Sequence, residues 1–103
     1  MTNTAPQRAV VLDTARDLTC GDRNDAYGEP VANMQRIAGI FNAITGRDLS
    51  GREIALVHQA TKLARRAMNT THKDSYVDGA AYTGIEYECA LAEHVAIARP
   101  PQT

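Results

Sequence analysis

The chain of 103 residues is long enough for one domain with one modest core, and it combines a net charge of −1 with 44% hydrophobic residues. This balance gives no general electrostatic attraction to nucleic acid or to an acidic membrane, and it argues against a nucleic-acid-binding protein. No run approaches the ~20 apolar residues of a membrane span, and residues 1–7 contain no apolar signal region. We therefore expect a single cytoplasmic domain over residues 1–103, without a membrane partner.

The spacing of apolar residues predicts an all-α fold with four helices and no strands. The first helix is predicted over residues 5–18 and the second over residues 30–45, where Gly46 has the position of a glycine C-cap. Residues 20–30 between them are rich in Gly, Asp, Asn and Pro, and they predict a loop that is longer than two antiparallel helices require. The core face of the second helix is expected to be Val31, Met34, Ile37, Ala38 and Phe41.

Two further helices are predicted over residues 51–68 and 74–98. Ser50 and Glu53 have the spacing of a capping box at the start of the third helix, and Asp74 is an acidic N-cap candidate for the fourth. Together the four helices predict a four-helix bundle. The inner stripe of the fourth helix is expected to be Val77, Ala81, Ile85, Ala92 and Val95.

The fourth helix contains two glycines, Gly79 and Gly84, and each costs roughly 1 kcal/mol against Ala in a helix interior. With Ala80 and Ala81 they make one side of the helix smooth, so another backbone can come close. We expect tight packing there, either inside the bundle or across a subunit boundary. The predicted partner is a second copy of the chain, in a homodimer or a larger assembly.

The fourth helix also carries polar residues at intervals of four, and positions i and i+4 of a helix share a face. These residues are Asp74, Asp78, Tyr82 and Glu86. The third helix offers Lys62 and Arg65, and the short link of residues 69–73 favours antiparallel packing of the two helices. Basic and acidic groups are therefore expected to meet between them.

Two interpretations of this polar face remain open. In the functional one, the carboxylates hold Mg²⁺, a hard ion that prefers oxygen ligands, and the metal ligands are Asp74, Asp78 and Glu86. Lys62 and Arg65 would then hold phosphate oxygens. In the structural one, these residues form a salt-bridge network within an oligomer, and metal titration would leave the melting temperature unchanged.

The segment Tyr27-Gly28-Glu29-Pro30 also has two interpretations. It is first a turn that enters the second helix. The alternative is a loop that covers a base or a ribose, with the Tyr27 ring stacked on it. His58 is interpreted as a surface histidine or one whose hydrogen bonds are satisfied by the fold.

An ordered set of motifs covers nearly the whole chain, about residues 10–95. It reads Arg23-x-x-x-Tyr27-Gly28-Glu29-Pro30-x-x-Asn33-x-x-Arg36-Ile37-Ala38, then Ile54-Ala55-Leu56, then Lys62-x-Ala64-Arg65, then Asp74-Ser75-x-Val77-Asp78-x-Ala80-x-Tyr82. This order resembles a family of small, mostly uncharacterised proteins of tailed phages and their hosts. Its layout is similar to the all-α nucleoside triphosphate pyrophosphohydrolases of the MazG-like group and to phage nucleotide-modification-associated domains. The resemblance implies a MazG-like helical bundle, usually oligomeric, that uses Mg²⁺ to cleave a nucleotide between its α and β phosphates.

Site roles follow from the resemblance together with the motifs. The candidate catalytic residues are Asp74, Asp78 and Lys62. The candidate substrate-binding residues are Tyr27, Asn33, Arg36, Arg65 and Tyr82. One departure is clear: MazG-like enzymes carry a Glu-Glu-x-x-Glu cluster on an early helix, whereas this stretch has Glu29, Asn33 and Arg36. Fewer carboxylates predict weaker binding of Mg²⁺.

The leading function hypothesis is a MazG-like nucleotide-binding protein, whose catalytic form would be a Mg²⁺-dependent nucleoside triphosphate pyrophosphohydrolase. The alternative is a non-catalytic phage protein that binds a host protein, and the missing early acidic cluster motivates it. Both hypotheses place the chain in the cytoplasm, which is that of the host cell if a phage encodes it.

Overall fold

The computed structural model describes residues 5–21 and 28–98, and these residues form four α-helices and no strand. In chain order the helices are α1 (Gln7–Cys20), α2 (Pro30–Thr45), α3 (Gly51–Met68) and α4 (Lys73–Ala98). The all-helical prediction is confirmed for the described residues. The ends predicted from the sequence lie at most two residues from the observed ones.

Side chains and one glycine set the ends of α2 and α3. The Ser50 hydroxyl accepts a hydrogen bond from the Glu53 N–H and the Glu53 carboxylate accepts one from the Ser50 N–H, so the predicted capping box is confirmed. Gly46 ends α2 in the left-handed region, with a φ of 73°, as the sequence predicted. The Glu29 carboxylate caps the start of α2 by accepting from two backbone N–H groups of its first turn.

The start of α4 differs from the prediction. The helix begins at Lys73, so Asp74 lies inside the first turn and is not the N-cap residue. Its carboxylate still favours the positive end of the helix dipole. The local contact is made instead by His72, whose ring Nδ1 lies 2.7 Å from the hydroxyl oxygen of the buried Ser75. A short polar pair therefore orders this helix start.

The helix α4 is the centre of the fold, since it packs against α1, α2 and α3, most extensively against α3. The main core is small and lies where α2, α3 and α4 meet. Its buried residues are Met34, Ala38, Ile54, Ala55, Ile85 and Cys89. Burial is the main reason why the pKa of the Cys89 thiol is raised, and nearby glutamates add to this effect.

The side chain of Asn42 stabilises the connection between α2 and α3 through two hydrogen bonds. The Asn42 amide donates to the Leu49 carbonyl and accepts from the Leu49 N–H, with both distances 2.9 Å. These two bonds keep residues 46–50, which connect the two helices, close to the last turns of α2. As a result, Gly51 at the start of α3 comes close to the middle of α2, where an added Cβ would lie 3.2 Å from Gln35 Cγ.

Two apolar side chains that were predicted to face the core are exposed. Phe41 of α2 and Val95 of α4 belong to the predicted inner stripes, yet both lie at the surface. Gly84 faces open space, whereas Gly79 lies opposite Lys62 and Arg66. The predicted close approach of another backbone is therefore not found at these two glycines within the described chain, where the neighbours of Gly79 are side-chain atoms of α3.

Among the described residues, no helix combines the length and the apolar character needed to cross a bilayer.

Candidate functional site

The interface of α3 and α4 is built from paired polar side chains. Lys62 Nζ lies 3.1 Å from Asp78 Oδ2, and the two side chains are only 15% and 29% exposed. Other pairs across the interface include His58 with Tyr82, Gln59 with Glu86, and Arg66 with Tyr76. From Gln59 to Lys62 to Arg66 on α3, the residue number of the partner on α4 falls from 86 to 78 to 76, so the two helices are antiparallel, as expected from their short link.

A cleft of about 290 Å³ opens beside the Lys62–Asp78 ion pair. Its size is near the lower end of the range for ligand pockets in proteins. The polar side chains at its wall are those of Thr19, Asn33, Lys62, Asp78 and Tyr82, and the apolar wall includes Leu18, Met34 and Ile85. The helices α1, α3 and α4 form the cleft together with the start of α2. Four of the predicted site residues thus lie side by side at its wall.

The Tyr82 ring at the cleft wall packs against a second ring, that of His58. Tyr82 stacks on His58 with ring centroids 4.5 Å apart and an angle of 9° between the planes. Burial lowers the pKa of His58, and the positive charge of Lys62 lowers it further. The neutral imidazole is therefore the form that the folded chain favours.

On the α2 side of the cleft, Asn33 is half-buried and Arg36 is exposed. Arg36 Nη1 donates to Asn33 Oδ1 at 3.3 Å. This bond engages the oxygen of the Asn33 amide and leaves its NH₂ group available as a donor. Arg36 thus orients Asn33 and does not itself line the cleft.

The remaining predicted site residues lie elsewhere. Asp74 and Arg65 are exposed on α4 and α3, and neither side chain makes an ion pair with a described residue. Tyr27 lies outside the described residues, so its predicted stacking role stays a prediction.

Glu86 belongs to a different cluster, although the sequence grouped it with Asp74 and Asp78. Its carboxylate accepts from Gln59 Nε2 at 2.9 Å and pairs with Arg52 Nη1 at 3.5 Å. The physical reason is helix geometry: each step of four residues turns about 40° past a full turn, so Asp74 and Glu86 are separated by about 120° around the helix.

The structure therefore does not gather the three predicted metal ligands into one group. Within residues 5–21 and 28–98, no set of three or more His, Cys, Asp or Glu side chains is placed to hold a metal ion. Asp78 is the member of the predicted set that lines the cleft.

The sequence did not predict the side chains of α3 that hold the site residues in place. Gln59 and His58 were given no role, yet they fix Glu86 and Tyr82 from the α3 side. A signal was present in the sequence, because His58 precedes Lys62 by four residues and so shares its helix face. The apolar wall formed by Leu18 had no sequence signal, since it depends on how α1 packs.

Comparisons with known proteins extend over this same region. The chain is 34% identical to the Gene 55 protein of Mycobacterium phage D29 over 74 residues, and 32% identical to the Gene 55 protein of Mycobacterium phage L5 over 84 residues. These alignments cover 72% and 81% of the chain but 49% and 54% of the relatives, so the chain spans about half the length of the relatives. No solved structure matches the chain.

The predicted resemblance to a phage protein family is confirmed by these relatives, while none of the matches is described as MazG-like. Residues 10–90 match a family described as a domain of unknown function, DUF6378, and this span contains all the residues of the cleft. Because the match covers most of its length, the chain belongs to the DUF6378 family.

Proposed function

We propose that this chain binds a nucleotide in the cleft, with a phosphate group held at Lys62. The observation that carries the proposal is the position of Lys62, whose side chain is only 15% exposed and lies at the cleft wall. An ammonium group has three donors, and the ion pair with Asp78 uses one. Two donors remain for phosphate oxygens, and partial burial strengthens their attraction to an anion.

The other groups at the cleft wall suit the rest of a nucleotide. The Asn33 NH₂ group and the Tyr82 hydroxyl can bond ribose hydroxyls or a base edge, and Leu18, Met34 and Ile85 offer an apolar surface to a base. The stack on His58 holds the Tyr82 ring in one orientation, which reduces the entropy lost on binding.

Mg²⁺ fits this cleft as a companion of the nucleotide. It is commonly held by one or two carboxylates together with substrate phosphates, so a large acidic cluster is not required. Asp78 at the cleft wall would hold it together with phosphate oxygens, whereas Asp74 is exposed outside the cleft lining and Glu86 is engaged by Gln59 and Arg52. When bound, Mg²⁺ would neutralise phosphate charge and polarise the phosphoryl group, as a nucleoside triphosphate pyrophosphohydrolase needs.

The test is calorimetric titration of the protein with each nucleoside triphosphate, with and without Mg²⁺. We expect binding of at least one nucleotide and a loss of affinity of about tenfold or more in Lys62→Met. Arg65→Met is the matched control, since Arg65 lies on the same helix outside the cleft. Absence of binding by every nucleotide would refute the proposal, and release of pyrophosphate would identify its catalytic form.

A non-catalytic protein that binds a host protein is the second candidate. The observation that favours it is the dispersal of the predicted metal ligands. In that case Asp78→Ala would lower stability by removing the partner of Lys62, and no nucleotide turnover would be lost. A pull-down with Asp78→Ala and wild-type bait would compare the captured host proteins directly.

A further inference from the structure

The outer face of α3 is apolar and uncovered. Seven side chains on this face are exposed, and among them Leu63 is 55% and Met68 89% exposed. We call this set the α3 stripe, and its members are Leu56, Val57, Ala60, Leu63, Ala64, Ala67 and Met68. The opposite face of the helix packs against α4 through Lys62 and its neighbours. The α3 stripe therefore points away from the rest of the described chain.

The α3 stripe contains a row with the spacing of a helix–helix seam. Positions 56, 60, 63 and 67 are separated by four, three and four residues, as in the repeat of helices that pack side by side. Their side chains alternate in size, in the order Leu, Ala, Leu, Ala. Close packing of two helices needs large residues opposite small ones.

This row of side chains is complementary in size to a second copy of itself that runs in the opposite direction. In a second copy that runs antiparallel, Leu56 faces Ala67 of the other copy and Ala60 faces Leu63, so each large side chain meets a small one. A two-fold axis requires this reciprocity, because residue i must contact residue j while j contacts i. A parallel copy in the same register would place Leu against Leu and Ala against Ala.

The exposed area is also of the size that a dimer needs. From the exposed fractions, the α3 stripe offers on the order of 500 Å² per chain, close to the apolar share of the ~800 Å² that each partner buries in a standard interface. The net charge of −1 creates little repulsion between copies. We propose that the α3 stripe is a homodimer interface, in which the α3 helices of two copies pack antiparallel about a two-fold axis.

The first experiment measures the mass of the full chain in solution by sedimentation over a range of micromolar concentrations. The wild type is expected to be a dimer and Leu63→Glu a monomer, since a charge would be buried at the seam. Leu12→Glu is the matched control, because Leu12 is equally exposed at 60% but lies on α1. A wild type that stays monomeric overturns the proposal and leaves the α3 stripe to a different protein, and a dimeric Leu63→Glu overturns it as well.

The second experiment tests the antiparallel pairing. Ala60→Leu alone would set Leu against Leu63 of the other copy, and Leu63→Ala alone would leave two small residues facing each other. Both single variants are expected to weaken the dimer by tenfold or more, whereas the double exchange restores the large-to-small match. Because Ala and Leu have similar helix propensity, the helix itself is little affected. A double variant no tighter than either single variant would overturn the antiparallel register.

Discussion

Along residues 56–68, α3 turns four polar side chains toward α4 and its large apolar side chains away from it. On the inner face, His58, Gln59, Lys62 and Arg66 each contact a named partner on α4. On the outer face, the side chains of the α3 stripe contact solvent. A surface helix ordinarily turns its apolar stripe to the core. The reversal separates two roles: the inner face shapes a polar cleft, and the outer face offers the apolar surface.

The largest expected effect comes from comparing a substitution in the short buried apolar part of α3 with one in the α3 stripe. Ile54 is buried in the core cluster, so Ile54→Ala should lower the free energy of unfolding by about 2–4 kcal/mol through lost contacts and a cavity. Leu63→Ala, measured by urea denaturation under conditions where the chain is monomeric, should cost less than about 1 kcal/mol. Equal costs would break the distinction between the faces.

The next effect tests the inner ion pair. Lys62→Met should lower the free energy of unfolding by about 1–2 kcal/mol, because it leaves the partly buried Asp78 carboxylate without its partner. The double variant Lys62→Met, Asp78→Leu should recover part of this loss, since no unpaired charge remains. The measurement is a double-mutant cycle by thermal and urea unfolding, with Arg65→Met as the control on the exposed side of α3. Additive losses would mean that the pair has no coupling.

A pH series tests the stacked histidine. The pKa of His58 is lowered in the folded chain by burial and by Lys62, so the unfolded chain binds more protons in mild acid. Stability is therefore expected to fall as the pH drops below about 6.5, the ordinary histidine value, toward the lower pKa of the folded state. His58→Phe, which keeps an aromatic ring against Tyr82, should flatten this part of the curve. The control variant is His94→Asn, which removes a histidine at an exposed position of α4.

The smallest expected effect has the opposite sign. A Cβ at Gly79 would lie 3.8 Å from Lys62 Cβ, which is an ordinary contact, and Ala has the higher helix propensity. Gly79→Ala should therefore raise the free energy of unfolding by about 0.5 kcal/mol. Gly51→Ala is the contrasting variant, because its Cβ would lie 3.3 Å from the Gln35 backbone nitrogen. A gain at Gly51 would show that α2 and α3 pack less closely than the distances indicate.

The helices were predictable because their ends depend on local sequence. Ser50 with Glu53 and the left-handed Gly46 are local signals, and both act as predicted. Burial was less predictable, because apolar spacing tells which residues share a face and does not tell whether another helix covers that face. Val95 and Phe41 have the right spacing, yet in the described chain they are 58% and 39% exposed.

The site shows the same limit. The meeting of Lys62 with Asp78 follows from a short link and antiparallel helices, so the sequence suggested it. The separation of Glu86 from Asp78 depends on where Arg52 and Gln59 lie. It also depends on the rotation of about 40° that each step of four residues adds around the helix, so residues several such steps apart no longer share a face. The size of the cleft depends on the placement of α1, for which the sequence holds no local signal.

The two bonds between Asn42 and Leu49 have a consequence for the order in which the chain assembles. They close a loop across seven residues, and short loops close at small entropic cost. The contacts that join α3 to α4 include one between Arg52 and Glu93, which is 41 residues away. Local contacts of this kind form early in folding, and distant ones form later. The connection between α2 and α3 is thus expected to close early and the contact of Arg52 with Glu93 late, whereas the contact of Arg66 with Tyr76 beside the α3–α4 link is also local.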